Sequence, residues 1–505
     1  MRRLRLLVAS LPALLTALAG SVPQAHANPS HADVPGIAWF EGGVAEAFEA
    51  ARAANKPVFL YWGAKWCPPC QQLKSSVFSR ADFMAKSKEF VAVYLDGDDP
   101  GAQKWGERFH VSGYPTVVIL RPDQKEIMRI AGGMDLASYA DLLDIALSDL
   151  KPMSEVLAAL RSDAVPLGHE DCQRLAYYAW DLADTAAAER KPIADDLARA
   201  AATCTTLTPA ERARLSVSSV TLQITPDGVT RLIGIVEDPV LAPKVADALQ
   251  DLREEFFKAV KERGPAVGAA FVAAWTRTMD SVAADPKVID ADQLSAIGSE
   301  LTVLKQFSPQ LEVPEDAAAA ARARVSAVLA KKLDPYVRAG IVNSASDIYE
   351  QLGDTDAEYA MLKGELSTAR SPYYYMADLG ELEEKRGHRE AALAWFERAY
   401  VESQGAATRF QWGTMYVSAL LRLAPADHVR IRKAGLKVIA ELDGPDRIQA
   451  RTRASLVKLE DRLHKWDADH RYDADLKALQ GRLAGVCGKL PQSDSGYDSC
   501  RKFLS

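Results

Sequence analysis

The sequence predicts an α/β domain at the N-terminus, followed by a large all-α region of helical repeats. Short apolar runs alternate with helical patterns from residue 35 to about 150, whereas nearly all of the chain after Lys151 has a helical period. The length of 505 residues corresponds to roughly three domains of ordinary size. With 48% hydrophobic and 26% charged residues and no long charge block, we expect packed cores rather than disorder.

Residues 1–27 are predicted to be a signal peptide. Three arginines in the first five residues precede an apolar run over 6–20, and Ala25-His26-Ala27 is a small-x-small cleavage site. We expect cleavage after Ala27 and a periplasmic or secreted product. The alternative is a membrane anchor, but Pro12 interrupts the run, which is shorter than the ~20 residues that cross a bilayer. No membrane span is predicted after the signal is removed.

Charge and composition limit the classes of partner and cofactor that we expect. The formal net charge is −7, and removal of three arginines without any acidic residue would make it more negative, which disfavours nucleic acid. Eight scattered histidines form no metal spacing, and no Gly-rich phosphate loop occurs, so we predict no metal and no cofactor. The six cysteines are an even number in a chain expected to be exported, where disulfides are permitted.

The elements of the first domain follow from apolar runs and turn residues. Strands that alternate with helices predict an α/β core with some parallel pairing. The expected elements are a helix at 44–54, a strand at 57–62, helical turns after Cys70, a strand at 90–95, a turn at 96–100, a helix at 103–109, strands at 116–120 and 126–130, and a helix at 135–146.

The segment Trp66-Cys67-Pro68-Pro69-Cys70 contains the predicted catalytic pair, Cys67 and Cys70. A CxxC pair has three ordinary meanings: half of a zinc site, a structural bridge or a redox dithiol. Zinc is disfavoured because no second closely spaced Cys or His pair is present. The pair follows a buried strand and opens a helix, where free N–H groups and the helix dipole lower the pKa of the first thiol. This context favours the redox dithiol.

Residues 62–70, together with Gly113-Tyr114-Pro115-Thr116 and the glycines at 132–133, resemble the thioredoxin family. The resemblance covers residues 35–150 and is strongest to periplasmic reductase modules, typified by the C-terminal domain of the membrane electron transporter that feeds the periplasm. It implies that Pro115 is cis, beside the dithiol, and that Trp66, Tyr114 and Pro115 bind substrate. The alternative is a trans proline that opens an edge strand.

The chemistry that the resemblance implies is thiol-disulfide exchange, and the two prolines of the motif favour reduction of a substrate disulfide over its formation. Pro68 and Pro69 supply no N–H groups, so fewer donors surround Cys67 and the pair should be less oxidising than a strong oxidant.

One departure from the family pattern concerns the step in which Cys70 attacks the mixed disulfide. Thioredoxins place a buried acid six positions before the first cysteine, where this chain has Tyr61. Lys65 is expected to be either a solvated lysine or a source of positive potential near Cys67.

After residue 150 we expect a helical region at 151–330, repeats at 331–440 and a C-terminal helical segment at 441–505. Gly353 and Gly387 are 34 residues apart and lie between paired helical patterns, which resembles tetratricopeptide repeats. An irregular helical bundle is the alternative. The run of tyrosines at 373–375 suits either peptide binding or helix packing.

The other four cysteines are predicted to form two structural disulfides, Cys172 with Cys204 and Cys487 with Cys500. A turn over residues 186–192 would bring two helices and the first pair together, and a polar loop separates the second pair. The rival interpretation is that Cys172 and Cys204 exchange electrons with Cys67 and Cys70.

The predicted function is an exported thiol-disulfide oxidoreductase that reduces protein disulfides. Its partners would be protein thiols or disulfides and a redox partner, with a further protein bound by the helical repeats. The alternatives are a helical-repeat adaptor or scaffold with a thioredoxin-like recognition domain, or a disulfide oxidase or isomerase.

Overall fold

The computed structural model describes residues 36–111, 113–131, 139–162, 166–183, 187–444, 447–492, 494 and 496–502. The predicted signal peptide, the glycines at 132–133 and the first residues of the helix predicted at 135–146 lie outside these residues.

A four-stranded mixed sheet forms the centre of the N-terminal domain, in the order β2-β1-β3-β4. Strand β1 runs parallel to β2 and antiparallel to β3, and β4 is antiparallel to β3. Because β1 and β2 are parallel, their carboxyl ends meet at the same edge, where Gly63 is in register with Asp96. The strands are β1 (Val58–Gly63), β2 (Val91–Asp96), β3 (Thr116–Leu120) and β4 (Glu126–Ala131).

Helices cover both faces of this sheet. One face packs a core around Phe59, Tyr61 and Phe78, and the opposite face packs a core around Phe48 and Trp62. Strand side chains point alternately to the two faces, so β1 is buried along its whole length. The helices are α1 (Val44–Ala54), α2 (Pro68–Leu73), which continues as a π-helical turn (Lys74–Phe78), α3 (Ala81–Lys86), α4 (Pro100–Arg108) and α5 (Tyr139–Ser148).

The predicted fold class is confirmed: a thioredoxin-like α/β domain precedes a large helical region. The start of one helix differs from the prediction. Helix α4 begins at Pro100 rather than near Gln103, because the Asp99 side chain caps its first turn and accepts a hydrogen bond from the Gly101 N–H at 2.8 Å. Proline at the first helical position loses no internal hydrogen bond.

Helices make up the described elements of the remaining chain. They are α6 (Met153–Ser162), α7 (His169–Tyr177), α8 (Ala187–Thr203), α9 (Pro209–Leu222), α10 (Pro226–Glu237), α11 (Ala246–Leu249), α12 (Glu254–Lys261), α13 (Pro265–Ala284), α14 (Asp290–Phe307), α15 (Glu315–Leu329), α16 (Pro335–Leu352), α17 (Thr355–Glu365), α18 (Pro372–Lys385), α19 (Arg389–Glu402), α20 (Ala406–Leu423), α21 (His428–Ala440), α22 (Ala450–Trp466), α23 (Asp473–Cys487) and α24 (Tyr497–Lys502). Among the described residues, none of these helices combines the length and apolar character that crossing a membrane requires.

Successive helices from α16 to α19 form two pairs with glycine turns. Gly353 separates α16 from α17 with φ +71°, and Gly387 separates α18 from α19 with φ +81°. A left-handed residue ends a helix without a steric cost only when it is glycine. The helix pairs therefore have the spacing that the sequence indicated, and their assignment as tetratricopeptide repeats stays a prediction.

Two disulfides lie in the helical region. Cys172 in α7 is bonded to Cys204, just after α8, with 6.0 Å between their Cα atoms. Cys487 at the end of α23 is bonded to Cys500 in α24, with 5.6 Å between their Cα atoms. The turn predicted over residues 186–192 was wrong from residue 187 onward, because α8 begins there and includes Pro192. Burial of Leu197 and Ala200 in this helix offsets the hydrogen bond that proline lacks.

Candidate redox site

Cys67 lies at the junction of β1 and α2. Its extended backbone (φ −81°, ψ 110°) places it at the N-cap of the helix, and Pro68 occupies the first helical position. The Cys70 backbone N–H donates to the Cys67 Sγ at 3.2 Å. Because Pro68 and Pro69 have no N–H, Cys70 provides the first backbone donor after Cys67.

The two cysteines form a buried disulfide. Their Cα atoms are 5.2 Å apart. Cys67 is 3% exposed and Cys70 is fully buried, in a small cluster with Ala64. In thioredoxin-type exchange the first cysteine must meet a substrate sulfur, so this low exposure limits what can reach it.

The loop before β3 forms the wall beside Cys67. The Tyr114–Pro115 peptide bond is cis, and the Cys67 Sγ lies 3.6 Å from the Tyr114 carbonyl oxygen. Thr116 Oγ1 donates to the Gly113 carbonyl at 2.8 Å, which ties the two ends of the loop together. Gln103 Nε2 donates to the Tyr114 hydroxyl at 2.7 Å and fixes the ring. We refer to residues 113–115 as the cis-proline loop.

A carboxyl group supports Trp66. The Trp66 Nε1 donates to Asp98 Oδ2 at 3.2 Å, and the Thr408 hydroxyl in α20 also donates to Asp98. Burial raises the pKa of Asp98 to about 6, although the hydrogen bonds from Thr408 and Trp66 oppose the rise. Gly405 at the start of α20 packs directly on Asp98, where a Cβ atom would collide with its side chain. The helical region therefore reaches the residue next to Cys67.

Tyr61 occupies the position at which thioredoxins have a buried acidic residue. It is fully buried, and its hydroxyl has no hydrogen-bond partner among the described residues. Burial, and then the charge of Asp96, raises the pKa of Tyr61. Asp96 is itself buried at the end of β2, where burial raises its pKa and the charges of Lys65 and Lys74 oppose that rise. A buried carboxyl group is thus present, but on the neighbouring strand.

Two side chains from the helical region cover the face of the site. Tyr374 in α18 stacks on Trp66, with ring centroids 6.1 Å apart and an interplanar angle of 16°. The guanidinium carbon of Arg451 in α22 lies 5.4 Å from the Trp66 ring centroid and 5.1 Å from that of Tyr114. Both distances suit cation–π contact. Arg451 also donates to Gln411 at 2.7 Å, which fixes its position.

The structure brings together five of the predicted site residues and separates the other four. Cys67 and Cys70 lie with Trp66, Tyr114 and Pro115 in one place. The two remaining pairs, Cys172–Cys204 and Cys487–Cys500, are each bonded internally. Sequence reasoning missed Asp96, Asp98 and Arg451 at the site, and it left the tyrosine run at 373–375, which includes Tyr374, open between peptide binding and helix packing. Asp96 and Asp98 carry a usable signal, since they lie at and just after the end of β2, whose carboxyl end meets that of β1, whereas nothing local distinguishes Arg451.

The fold and the site define a thioredoxin-like domain with a CxxC disulfide at the start of a helix and a cis-proline loop beside it. A family model described as a thioredoxin-like domain matches residues 44–146.

Two curated proteins are similar to this part of the chain. The thiol:disulfide interchange protein DsbD 1 of Pseudomonas aeruginosa is 28% identical over 137 residues, which cover 25% of this chain and 22% of that protein. Thioredoxin H2 of Arabidopsis thaliana is 33% identical over 86 residues, which cover 17% of this chain and 59% of that protein. The chain thus spans about a fifth of the length of the first relative and under two thirds of the second.

Proposed function

We propose that this protein is a thiol-disulfide oxidoreductase that reduces protein disulfides through Cys67 and Cys70. The observation that carries the proposal is the pair itself, at a helix start and 3.6 Å from the cis-proline loop. The similarity to a thiol:disulfide interchange protein supports the same class of chemistry. We further propose that the protein works outside the cytosol, in line with the predicted signal peptide.

The proposed reaction is two successive exchanges. The Cys67 thiolate attacks one sulfur of a substrate disulfide, forms a mixed disulfide and releases the other sulfur as a thiolate, which takes a proton. The Cys70 thiol loses its proton and attacks Cys67, which breaks the mixed disulfide and releases the second substrate sulfur. The substrate gains two electrons and two protons, and Cys67 and Cys70 become bridged. A donor dithiol then reduces the pair again.

The direction of the reaction is argued from the donors around Cys67. A strong oxidant stabilises its reduced thiolate, and backbone N–H groups are one source of that stabilisation. Here the Cys70 N–H at 3.2 Å is the backbone donor to Cys67, while the two intervening prolines offer none. This arrangement favours the reductase direction over the oxidase direction.

Trapping of the mixed disulfide tests the proposal. We expect Cys70→Ala, supplied with reductant and a disulfide-bonded peptide, to accumulate a covalent enzyme–peptide adduct that dithiothreitol releases. Cys67→Ala is the matched control and should form none, because Cys70 is fully buried. Mass spectrometry of the intact protein measures the adduct. Absence of any adduct from Cys70→Ala would count against an oxidoreductase.

The burial of the pair favours one second candidate, a helical-repeat scaffold in which the disulfide is structural. Cys67 is only 3% exposed, and helices from the second region contact its neighbours. A scaffold would keep the Cys67–Cys70 bridge when equilibrated with millimolar dithiothreitol under native conditions, whereas an oxidoreductase would lose it.

A further inference from the structure

The helical region contacts the N-terminal domain on several sides of the redox site. Near β4, the Tyr178 hydroxyl donates to Glu126 at 2.6 Å. At α2, Gln72 donates to Asp292 of α14 at 2.7 Å. At α4, Arg453 of α22 pairs with Glu107 at 2.7 Å. These contacts, together with Tyr374 and Arg451 over the face of the site, lie around the dithiol, and Cys67 itself is 3% exposed.

Two neighbouring spaces open beside Pro69 of the motif. The first, the cis-proline groove, has a volume of about 370 Å³; Pro69 and the cis-proline loop form one wall, and Trp180, Asp247 and Asp251 form the other. The second, the wide cleft, has a volume of about 1230 Å³ and lies between α2 and helices α14 and α16. The two spaces share Pro69, Asp247 and Asp251, so they adjoin beside Pro69, the residue before Cys70, and we refer to them together as the path.

The cis-proline groove has the size of a ligand site and the wide cleft is larger, which leaves room for a chain segment. Sites that enclose a drug-sized molecule have volumes of about 300–1,000 Å³. An extended segment can also form backbone hydrogen bonds along one edge while its side chains point alternately to the two sides. Helices of the second region form one wall of each space, which restricts how closely the surface of a folded protein can approach.

Acidic side chains dominate the path. Asp181, Asp247 and Asp251 line the cis-proline groove, where Arg214 is the basic residue and pairs with Asp247 at 2.5 Å. In the wide cleft the acidic residues outnumber the basic ones. The acidic residues that it adds are Asp285, Asp292, Asp347 and Glu350, and its basic residues are Arg80, Lys244 and Lys287. A positively charged segment would complement this surface.

We propose that the helical region restricts the dithiol to disulfides in extended, basic polypeptide segments, which enter along the cis-proline groove and the wide cleft. This inference rests on the proposed function and deepens it. Tyr374 and Arg451 are specificity-determining residues because they close the face of the site over Trp66. Asp181 and Asp251 set the charge preference of the segment.

The test measures the reduction of four disulfides by the full chain with dithiothreitol as donor. They are 2-hydroxyethyl disulfide, a disulfide-bridged peptide flanked by lysines, the same peptide flanked by glutamates, and the lysine peptide inserted as a surface loop of a small folded carrier domain. We expect the lysine peptide to react at least about tenfold faster than the glutamate peptide and at least about tenfold faster than the carrier loop.

Variants separate the two parts of the inference. Tyr374→Ala and Arg451→Ala should accelerate reduction of the carrier loop. Asp181→Asn with Asp251→Asn should reduce the preference for lysine, whereas Asp195→Asn on the exposed face of α8 should not. Equal rates on the free peptide and the carrier loop would overturn the steric part, and equal rates on the two peptides would overturn the charge part. Failure to reduce 2-hydroxyethyl disulfide would instead contradict the proposed function.

Discussion

At the scale of single residues, the titration of Asp98 beside Trp66 makes the stability of the protein depend on pH. Its pKa is raised to about 6, mainly by burial, whereas in an unfolded chain it is about 3.9. A raised pKa means that the folded state retains the Asp98 proton to a higher pH than the unfolded state does. The contribution of this group to the free energy of unfolding is therefore fully present below about pH 3.9 and is lost as the pH rises through 6.

We therefore expect Asp98→Asn to stabilise the protein more at pH 8 than at pH 5. The asparagine side chain keeps an oxygen that can accept from Trp66 and Thr408 but has no charge to desolvate. Thermal unfolding of both proteins at the two pH values measures the difference. An equal shift in melting temperature at pH 5 and pH 8 would contradict the assigned pKa.

Residues such as Cys67, Cys70 and Pro115 could be singled out from the sequence because short motifs specify them. Arg451 could not, and the position of Asp98 just after β2 predicts only that it lies near the carboxyl end of β1. The role of Asp98 depends on its burial by α20, and Arg451 is separated from the motif by more than three hundred residues. Only folding brings these charges beside Trp66, and no local pattern encodes that encounter.

At the scale of elements, Glu107 connects α4 with the start of α22. Its carboxylate accepts hydrogen bonds from the Ala450 N–H at 3.0 Å and from Arg453 at 2.7 Å. The N-cap side chain of α22 makes no capping hydrogen bond, so Glu107 supplies an acceptor for the N-terminus of this helix. We expect Glu107→Ala to cost about 1–2 kcal/mol of local stability. Hydrogen exchange should become faster at residues 450–455, whereas Glu41→Ala, at an exposed site of the same domain, should leave those amides unchanged.

The disulfide between α7 and α8 is a second element-scale feature. Both cysteines are buried, at 1% and 4% exposure, in a core that includes Leu175 and Leu197. Replacing both Cys172 and Cys204 with alanine should destabilise the protein by about 2–4 kcal/mol but leave reduction of 2-hydroxyethyl disulfide unchanged. Loss of that activity in a variant that remains folded would favour the rival hypothesis of electron transfer between the two cysteine pairs.

Element positions in the α/β domain could be predicted closely because burial and turn chemistry are local. Strand β3 has the predicted limits, and β4 differs by one residue. The turn proposed over residues 186–192 was wrong from residue 187 onward, because burial of one face of α8 outweighs the hydrogen bond that Pro192 lacks.

At the scale of the whole molecule, the helical region both surrounds the redox site and contributes side chains to it. A thioredoxin-like domain alone would present Trp66 and the cis-proline loop to solvent, whereas here α18, α20 and α22 contact these residues or their supports. The sequence predicted the two regions but not this arrangement, because helical periodicity shows which face of a helix is buried and not what buries it.

The reduction potential of the Cys67–Cys70 couple tests the central claim most directly. Equilibration with dithiothreitol and glutathione buffers, followed by thiol trapping of all six cysteines, gives the potential and identifies which pairs respond. We predict a value near that of thioredoxin, about −270 mV, with the other two pairs oxidised throughout. A value near about −120 mV, or a Cys67–Cys70 bridge that no buffer reduces, would contradict a disulfide reductase.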